Sequence, residues 1–481
     1  MTEVEAKKPQ ESLQDRLAQV VELLHRHKVV EDLTHRQEGQ HHDRVENLVH
    51  RQNLVELQRK LEELHPADIA HILESLPLDD RLTVWQLVKS EDDGDILLEV
   101  SDAVRETLIA DMDDHEIIAA TKDLDADELA DLAPELPRDV VHELMESLDA
   151  QQRERVRSAL SYEEDQVGAL MDFEMVTIRE DVSLEVVLRY LRRLKELPGH
   201  TDKLFVVDYD GVLKGVLPIK RLLVNDPDKQ VLEVATDPVT FHPDEDGYDA
   251  AQAFERYDLI SAPVVDKGGK LIGRLTIDEM VDLIREESES EVLNMAGLRE
   301  EEDIFASVWK SVRNRWAWLA TNLITAFVAS RVIGLFEGSI EKLVALAALM
   351  PIVAGIGGNS GNQTITMIVR AIALDQVQPT SNSRNRLLRK ELGVALVNGL
   401  AWGGVIGVVA FYLYGNWELG VVMTAAMTLN LLLAAMMGVL IPMTLHRFGR
   451  DPAMGSSVMI TAMTDSGGFF IFLGLATIFL M

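Results

Sequence analysis

Apolar positions change their spacing several times along this chain, and each change predicts a different kind of structure. From about Ser12 to Leu64, Leu13, Leu17, Val20, Val21 and Leu24 recur at helical intervals in an otherwise polar stretch, which predicts amphipathic helix. Between His65 and Leu170, short helical stretches alternate with breaks rich in Pro or Asp: His65-Pro66-Ala67-Asp68, Leu76-Pro77-Leu78-Asp79-Asp80, Asp111-Met112-Asp113-Asp114 and Leu136-Pro137-Arg138-Asp139. Each break places an Asp where its carboxylate can accept the free N–H groups that open the next helix. A run of short stacked helices predicts an all-α superhelical, solenoid-like domain.

The pattern then becomes an internal repeat. Phe205-Val206-Val207-Asp208, followed by Gly211, Leu213, Gly215, Leu217 and Ile219, returns 58 positions later as Pro263-Val264-Val265-Asp266 with Gly269, Leu271, Gly273, Leu275 and Ile277. In both copies an apolar strand, a Gly-containing turn and a second strand lead into an amphipathic helix. After it, Glu286, Glu287, Glu289 and Glu291, then Glu300, Glu301, Glu302 and Asp303, form an acidic helical connector that ends at Lys310, Arg313 and Arg315.

Five continuous apolar stretches complete the chain: Trp316–Phe336, Val344–Ile372, Leu392–Tyr414, Leu419–Leu445 and Ser456–Met481. Each exceeds the ~20 residues a helix needs to cross ~30 Å of hydrocarbon. Basic residues collect before the first (Lys310, Arg313, Arg315), between the second and third (Arg384, Arg386, Arg389, Lys390) and between the fourth and fifth (Arg447, Arg450). The alternate loops, Glu337–Lys342 and Gly415–Glu418, are short and acidic or mixed. Because Lys and Arg favour the cytoplasmic side, the pattern predicts a multi-pass protein of the inner or plasma membrane, with cytoplasmic N-terminal domains and an outside C-terminus.

Charge sharpens this division. From Trp316 onward the chain holds seven acidic and nine basic residues, so residues 1–315 carry all of the net charge of −34 and slightly more. A surface this acidic argues against nucleic acid as a partner and for cations, with a solubilising surface as the plain alternative. There is no Cys, which removes disulfides and thiolate metal sites. His25, His27, His35, His41, His42 and His50 crowd the N-terminal helix, but neighbours such as His41 and His42 point apart on a helix, and solvated surface is the preferred reading.

Two features of the apolar region call for chemistry. The second stretch contains Pro351 and the run Gly355-Ile356-Gly357-Gly358-Asn359-Ser360-Gly361-Asn362-Gln363, which predicts a broken helix. Packing accounts for the glycines; Asn359, Asn362 and Gln363 suit a pore-facing segment better. The fifth stretch carries Asp465 near its middle, and a carboxylate at that depth requires water, a cation or a protein partner. Arg331 is the candidate salt-bridge partner and a cation path the competing explanation. A two-fold homodimer would bring two such carboxylates together, enough to hold a hydrated Mg²⁺, which gives up its water reluctantly.

Taken in order, these elements resemble the MgtE family of Mg²⁺ channels. The match is carried by Gly358-Asn359-Ser360-Gly361-Asn362-Gln363 with Arg370, by Asp451-Pro452-Ala453, and by Thr461 to Asp465; the repeat resembles a tandem of cystathionine-β-synthase (CBS) domains. Ser457-Val458 lacks a Pro that the family often has there, and the His-rich segment is longer than in the shortest members. The expected organisation is a polar helical extension (1–50), an acidic helical domain (51–160), two α/β CBS repeats (161–225 and 226–285), a connecting helix (286–314) and a five-helix all-α transmembrane domain (315–481). The resemblance implies a homodimer whose pore binds hydrated Mg²⁺ through Asp465 of both chains and the Thr461 carbonyl. It also implies closure when cytosolic Mg²⁺ bridges soluble carboxylates, for which Asp246, Asp249, Asp278, Asp282, Glu286 and Glu287 are the candidates. In CBS domains a turn like Gly273-Arg274-Leu275-Thr276-Ile277-Asp278 can meet a nucleotide ribose, so Thr276 and Asp278 are candidates for ATP. The first copy, with Pro218 and Lys220 at those places, departs from the pattern. Two other readings stay open: a transporter of Co²⁺ or another divalent cation, against which the all-oxygen site argues, and a membrane-anchored CBS nucleotide sensor. No nucleophile–base pair or phosphate loop marks an enzyme.

Overall fold

A computed structural model describes residues 13–35, 54–122, 124–298, 303–373, 376, 381–453 and 455–481. His41, His42 and His50 lie outside the described residues. The chain divides into two compact units, Met1–Glu287 with Asp303–Ala306 and Ser288–Glu302 with Ser307–Met481.

The first unit opens with α1 (Leu13–His35) and α2 (54–61), which bury Val20, Leu24, Leu57 and Leu61 against the helices that follow. Those helices form four pairs: α3 (Pro66–Glu74) with α4 (Leu78–Trp85), α5 (Asp93–Glu99) with α6 (Asp102–Ile109), α7 (Asp114–Ala120) with α8 (Ala126–Leu132), and α9 (Arg138–Ser147) with α10 (Ala150–Ala159). The second helix of each pair begins at 78, 102, 126 or 150, a period of 24 residues that the sequence breaks announced only in part. An apolar residue precedes each by two positions (Leu76, Val100, Leu124, Leu148), and its fourth residue is Arg81, Arg105, Leu129 or Arg153. The three arginines do the same work. Each Nε donates to the carbonyl eight residues earlier: Arg81 to Leu73 (2.9 Å), Arg105 to Leu97 (2.7 Å) and Arg153 to Met145 (2.6 Å). Each Nη2 reaches the carbonyl five residues earlier, of Leu76, Val100 or Leu148. One guanidinium thus satisfies the carbonyls that the end of a helix leaves open.

The internal repeat is as regular in space as in sequence. In the first copy β1 (Thr177–Arg179) runs parallel to β2 (Lys203–Val207), which pairs antiparallel with β3 (Leu213–Pro218); in the second, β4 (Ser261–Val265) pairs antiparallel with β5 (Leu271–Thr276). The register shifts at Val206/Val207 and at Val264/Val265, the same place in both. Gly211 and Gly269 adopt φ of +82° and +77°, which the tight turns between strands require. The helices flanking the strands are α11 (Leu184–Leu191) and α12 (Ile219–Val224) in copy one, with α13 (Val231–Val234) joining the copies. In copy two they are α14 (Gly247–Tyr257) and α15 (Ile277–Ala296). Here the copies diverge. Asn225-Asp226-Pro227 stops α12 after six residues, since proline cannot continue a helix, whereas α15 runs on for 20. The connector expected over 286–314 is therefore shared between two helices: its first part is the end of α15, which stops before Gly297 (φ +73°), and its last part opens α16 (Val308–Gly334).

The second unit contains α16, the short α17 (Glu337–Lys342), α18 (Ala345–Ala373), α19 (Ser381–Tyr414), α20 (Trp417–Arg447) and α21 (Ser456–Leu480). Four of them, α16, α19, α20 and α21, are long and apolar enough to cross a membrane. The second predicted span, α18, is long enough but less apolar because of the run Gly357 to Gln363. Contrary to the expectation of a break, α18 is one continuous helix through Pro351 and its glycines. Close packing explains why. A side chain at Gly361 would begin 2.4 Å from Ile460, and one at Gly357 would begin 2.2 Å from the Asn430 amide, so the small residues seat α18 against α20 and α21 instead of breaking it.

Candidate functional site

The polar run of α18 divides by face. Gly357, Gly361 and Thr364 are buried, while Gly355, Asn359, Gln363, Thr366 and Arg370 are exposed along the opposite side, with Asn362 between. Positions 359, 363, 366 and 370 follow the helical period, so they form one polar stripe along a largely apolar helix. Asn359, Asn362 and Gln363 were expected at such a surface; Thr366 and Arg370 extend it toward the end of the helix.

Asp465 lies half-buried on α21, one turn after Thr461. Among the described residues no side chain bonds or pairs with its carboxylate, and Arg331 instead lies over the Phe327 ring, 5.6 Å from its centre. The salt-bridge explanation for Asp465 is thereby removed. Thr461 Oγ1 donates to the Ser457 carbonyl (2.9 Å), and the Thr461 carbonyl accepts from Thr464 Oγ1 (3.2 Å). Helices α18 and α21 meet where Gly358 faces Thr464 Oγ1, so the next residue of each, Asn359 and Asp465, flanks one contact.

Two polar residues behind this face were not singled out by the sequence. Asn430 of α20 is fully buried; its amide donates to the Val353 carbonyl (2.9 Å), while its Oδ1 has no partner among the described residues. Glu391 of α19 is also buried, accepting from Thr364 Oγ1 (3.3 Å) and lying 3.3 Å from Lys390 Nζ. Asn430 occurs inside an apolar span, a signal the chain does carry, whereas Glu391 stands just before Leu392, at the edge of the third stretch.

In the first unit the expected carboxylates separate into groups. Asp246 caps α14, its Oδ1 accepting from the N–H of Asp249 (3.1 Å), and both stay at that helix start. Asp278 pairs with His200 (3.3 Å) and Asp282 with Arg285 (3.8 Å). Thr276 is buried at the end of β5, in register with Ser261. Glu286 belongs to a larger acidic face: burial first, then Asp102, Asp131 and Asp282, raise its carboxyl above the usual range. Glu279, in the first turn of α15, was missed. It keeps solvent contact, yet desolvation by the packed helices, then Asp278, Asp127, Asp131 and Asp282, push it up to about 8. Burial and Asp172 likewise raise Asp127 to about 7, and its Oδ1 has no hydrogen-bond partner among the described residues. Helices α6 and α8 therefore turn carboxylates toward the same negative field as α15. Among the described residues no three such groups converge closely enough to chelate a bare ion.

Comparison with known proteins places these features. Residues 64–165 match the MgtE intracellular N domain, 167–226 and 230–286 match CBS domains, and 350–475 match the divalent cation transporter family MgtE. The magnesium transporter MgtE of Thermus thermophilus is 30% identical over 88% of this chain and 95% of its own length. That of Bacillus subtilis is 25% identical over 87% and 93%. Among solved structures, the cytosolic domain of the Mg²⁺ channel MgtE in complex with ATP shares 31% identity over 47% of this chain and 93% of that one, with a TM-score of 0.43. With the helical domain, the CBS pair and the apolar helices matched in this order over nearly the whole length of the Thermus relative, the chain belongs to the MgtE family of divalent cation transporters.

Proposed function

We propose that this protein carries Mg²⁺ inward across a cell membrane along a path marked by Asp465, and that cytosolic Mg²⁺ closes that path. The observation that carries the first half is a carboxylate in an apolar helix with no protein partner among the described residues, next to a polar stripe on α18. Water and a cation are the remaining compensation for such a charge. One carboxylate is too few for a divalent ion, and an exposed polar stripe is unsuited to lipid, so both point to a homodimer with Asp465 and the Thr461 carbonyl of two chains facing a hydrated ion. Asn359, Asn362 and Gln363 line the approach. All five long helices cross the membrane in this reading: burial of α18 by its neighbours offsets its lower hydropathy, the N-terminal domains are cytoplasmic, and the C-terminus is outside.

The second half rests on the acidic face between α6, α8 and α15. Glu279, Asp282, Glu286, Asp102, Asp127 and Asp131 repel one another there, and divalent cations held with their water would relieve that repulsion; Glu287, next to Glu286 in sequence, stays a sensor candidate. Asp246 and Asp249 lie apart from it and are the weaker sensor candidates. Thr276 and Asp278 remain the proposed contacts for ATP on the second CBS copy, with His200 as an added neighbour.

The deciding measurement is Mg²⁺ flux into vesicles. Asp465→Ala should abolish uptake, and Asp465→Asn should reduce it at least roughly tenfold, the effect of ~1.4 kcal/mol on a barrier. Uptake unchanged in both would remove Asp465 from the ion path.

A further inference from the structure

The 24-residue period exposes a vacancy in the sequence pattern that a distant residue fills. Beyond the carbonyls it caps, Arg105 uses Nη1 to meet acids 26 and 30 positions later: Asp131 Oδ2 (3.3 Å) and Glu135 Oε1 (3.0 Å). Shifted back by one period, the partners of Arg81 would be Thr107 at +26, whose hydroxyl lies 3.4 Å from Nη1 and brings no charge, and Asp111 at +30, which instead accepts from Gln86 Nε2 (3.4 Å). The missing acid is supplied by Asp303, whose Oδ2 lies 2.9 Å from Arg81 Nη1. Side-chain exposure is 0% for Arg81 and 8% for Asp303, so the pair is shielded from water. The other carboxylate oxygen, Oδ1, accepts from the N–H of Phe305 (2.8 Å), and the Asp303 carbonyl accepts from Ala306. Four residues on, Ser307 caps α16, its hydroxyl accepting from the N–H of Lys310.

From this we infer that Asp303 is a latch: the helical N domain grips the strand of chain leading into the first membrane helix through the acid slot of Arg81. A buried guanidinium loses most when its counter-charge leaves, so the slot favours the docked linker strongly over the free one. A shift of the α3–α6 repeats is then passed along four residues to the start of α16. Resting on the proposed gating by cytosolic Mg²⁺, this makes Asp303 the mechanical link between the N domain and the pore. It differs from the acidic sensor face because it binds no ion.

Two substitutions in the full-length protein test it. Asp303→Asn keeps an oxygen for the Phe305 N–H but removes the charge facing Arg81. Thr107→Asp leaves the linker untouched and supplies the acid from within the repeat, as Asp131 does for Arg105, so it should displace Asp303. Both should speed hydrogen exchange at Phe305 and Ala306. Both should also raise the internal Mg²⁺ needed for half-closure by roughly fivefold or more, a typical coupling between sites, with flux at low internal Mg²⁺ kept within about twofold of wild type. Wild-type exchange and wild-type closure in Thr107→Asp would overturn the latch, whatever Asp303→Asn does. A wild-type protein that internal Mg²⁺ fails to close would instead defeat the gating reading, and exchange at Phe305 and Ala306 would still decide the contact.

Discussion

Glu279 shows how much the surroundings of one residue can govern. Its carboxyl is raised from the ordinary 4.5 to about 8, and that of Asp127 from 3.8 to about 7, so at pH 6 the folded protein holds protons that the unfolded chain has released. With more protons bound when folded than unfolded, the stability these two groups contribute is greatest below about pH 4 and falls as pH rises toward 8. A divalent cation would take the place of those protons. Mg²⁺ should therefore raise the melting temperature of the full chain more at pH 8 than at pH 6, and an equal rise at both would separate Glu279 and Asp127 from cation binding. Asp465 is a different case, because its position alone, an acid in the last apolar stretch, marks it in the sequence. Glu279 carries no such mark: nothing in Thr276-Ile277-Asp278-Glu279 tells that Asp127 and Asp131 will be brought beside it.

At the scale of elements, strands β2 to β5 and the long helices were legible because their signals are local. The repeat at 58 residues, the two Gly turns and the length of the apolar stretches all act within a few residues of themselves. The continuity of α18 was not legible. Pro351, Gly357 and Gly361 disfavour a helix in isolation, and only the Asn430 amide against the bare Cα of Gly357 and Ile460 against that of Gly361 show that the glycines serve contact. Gly357→Ala should accordingly push Asn430 off the Val353 carbonyl, destabilising the membrane helices by about 1–3 kcal/mol and lowering Mg²⁺ flux. Gly355→Ala, which meets no atom within 4 Å, should leave the fold intact. Thermal aggregation of detergent-solubilised protein distinguishes the two, and equal behaviour would mean that Gly357 has room to spare.

For the whole molecule, the sequence showed the order of domains but not the acidic face or the latch, since each joins residues dozens or hundreds of positions apart. The split of charge, with excess acid in residues 1–315, suggested cations or a solubilising surface for that part, without saying which carboxylates would gather. It could not say that the third helical pair breaks the arginine rule. There Leu129 stands where Arg81, Arg105 and Arg153 stand in the others, and among the described residues no guanidinium ties the end of α7 to the start of α8. The Thr121 hydroxyl, donating to Ile117 and Ile118, holds that helix end in its place. A stack in which each pair leans on the next behaves like a spring, and a coil with a thinner wire bends first. The N domain should thus flex about the α7–α8 pair, the pair that carries Asp127 and Asp131 toward α15, and the last amides of α7 should exchange before those closing α5 or α9.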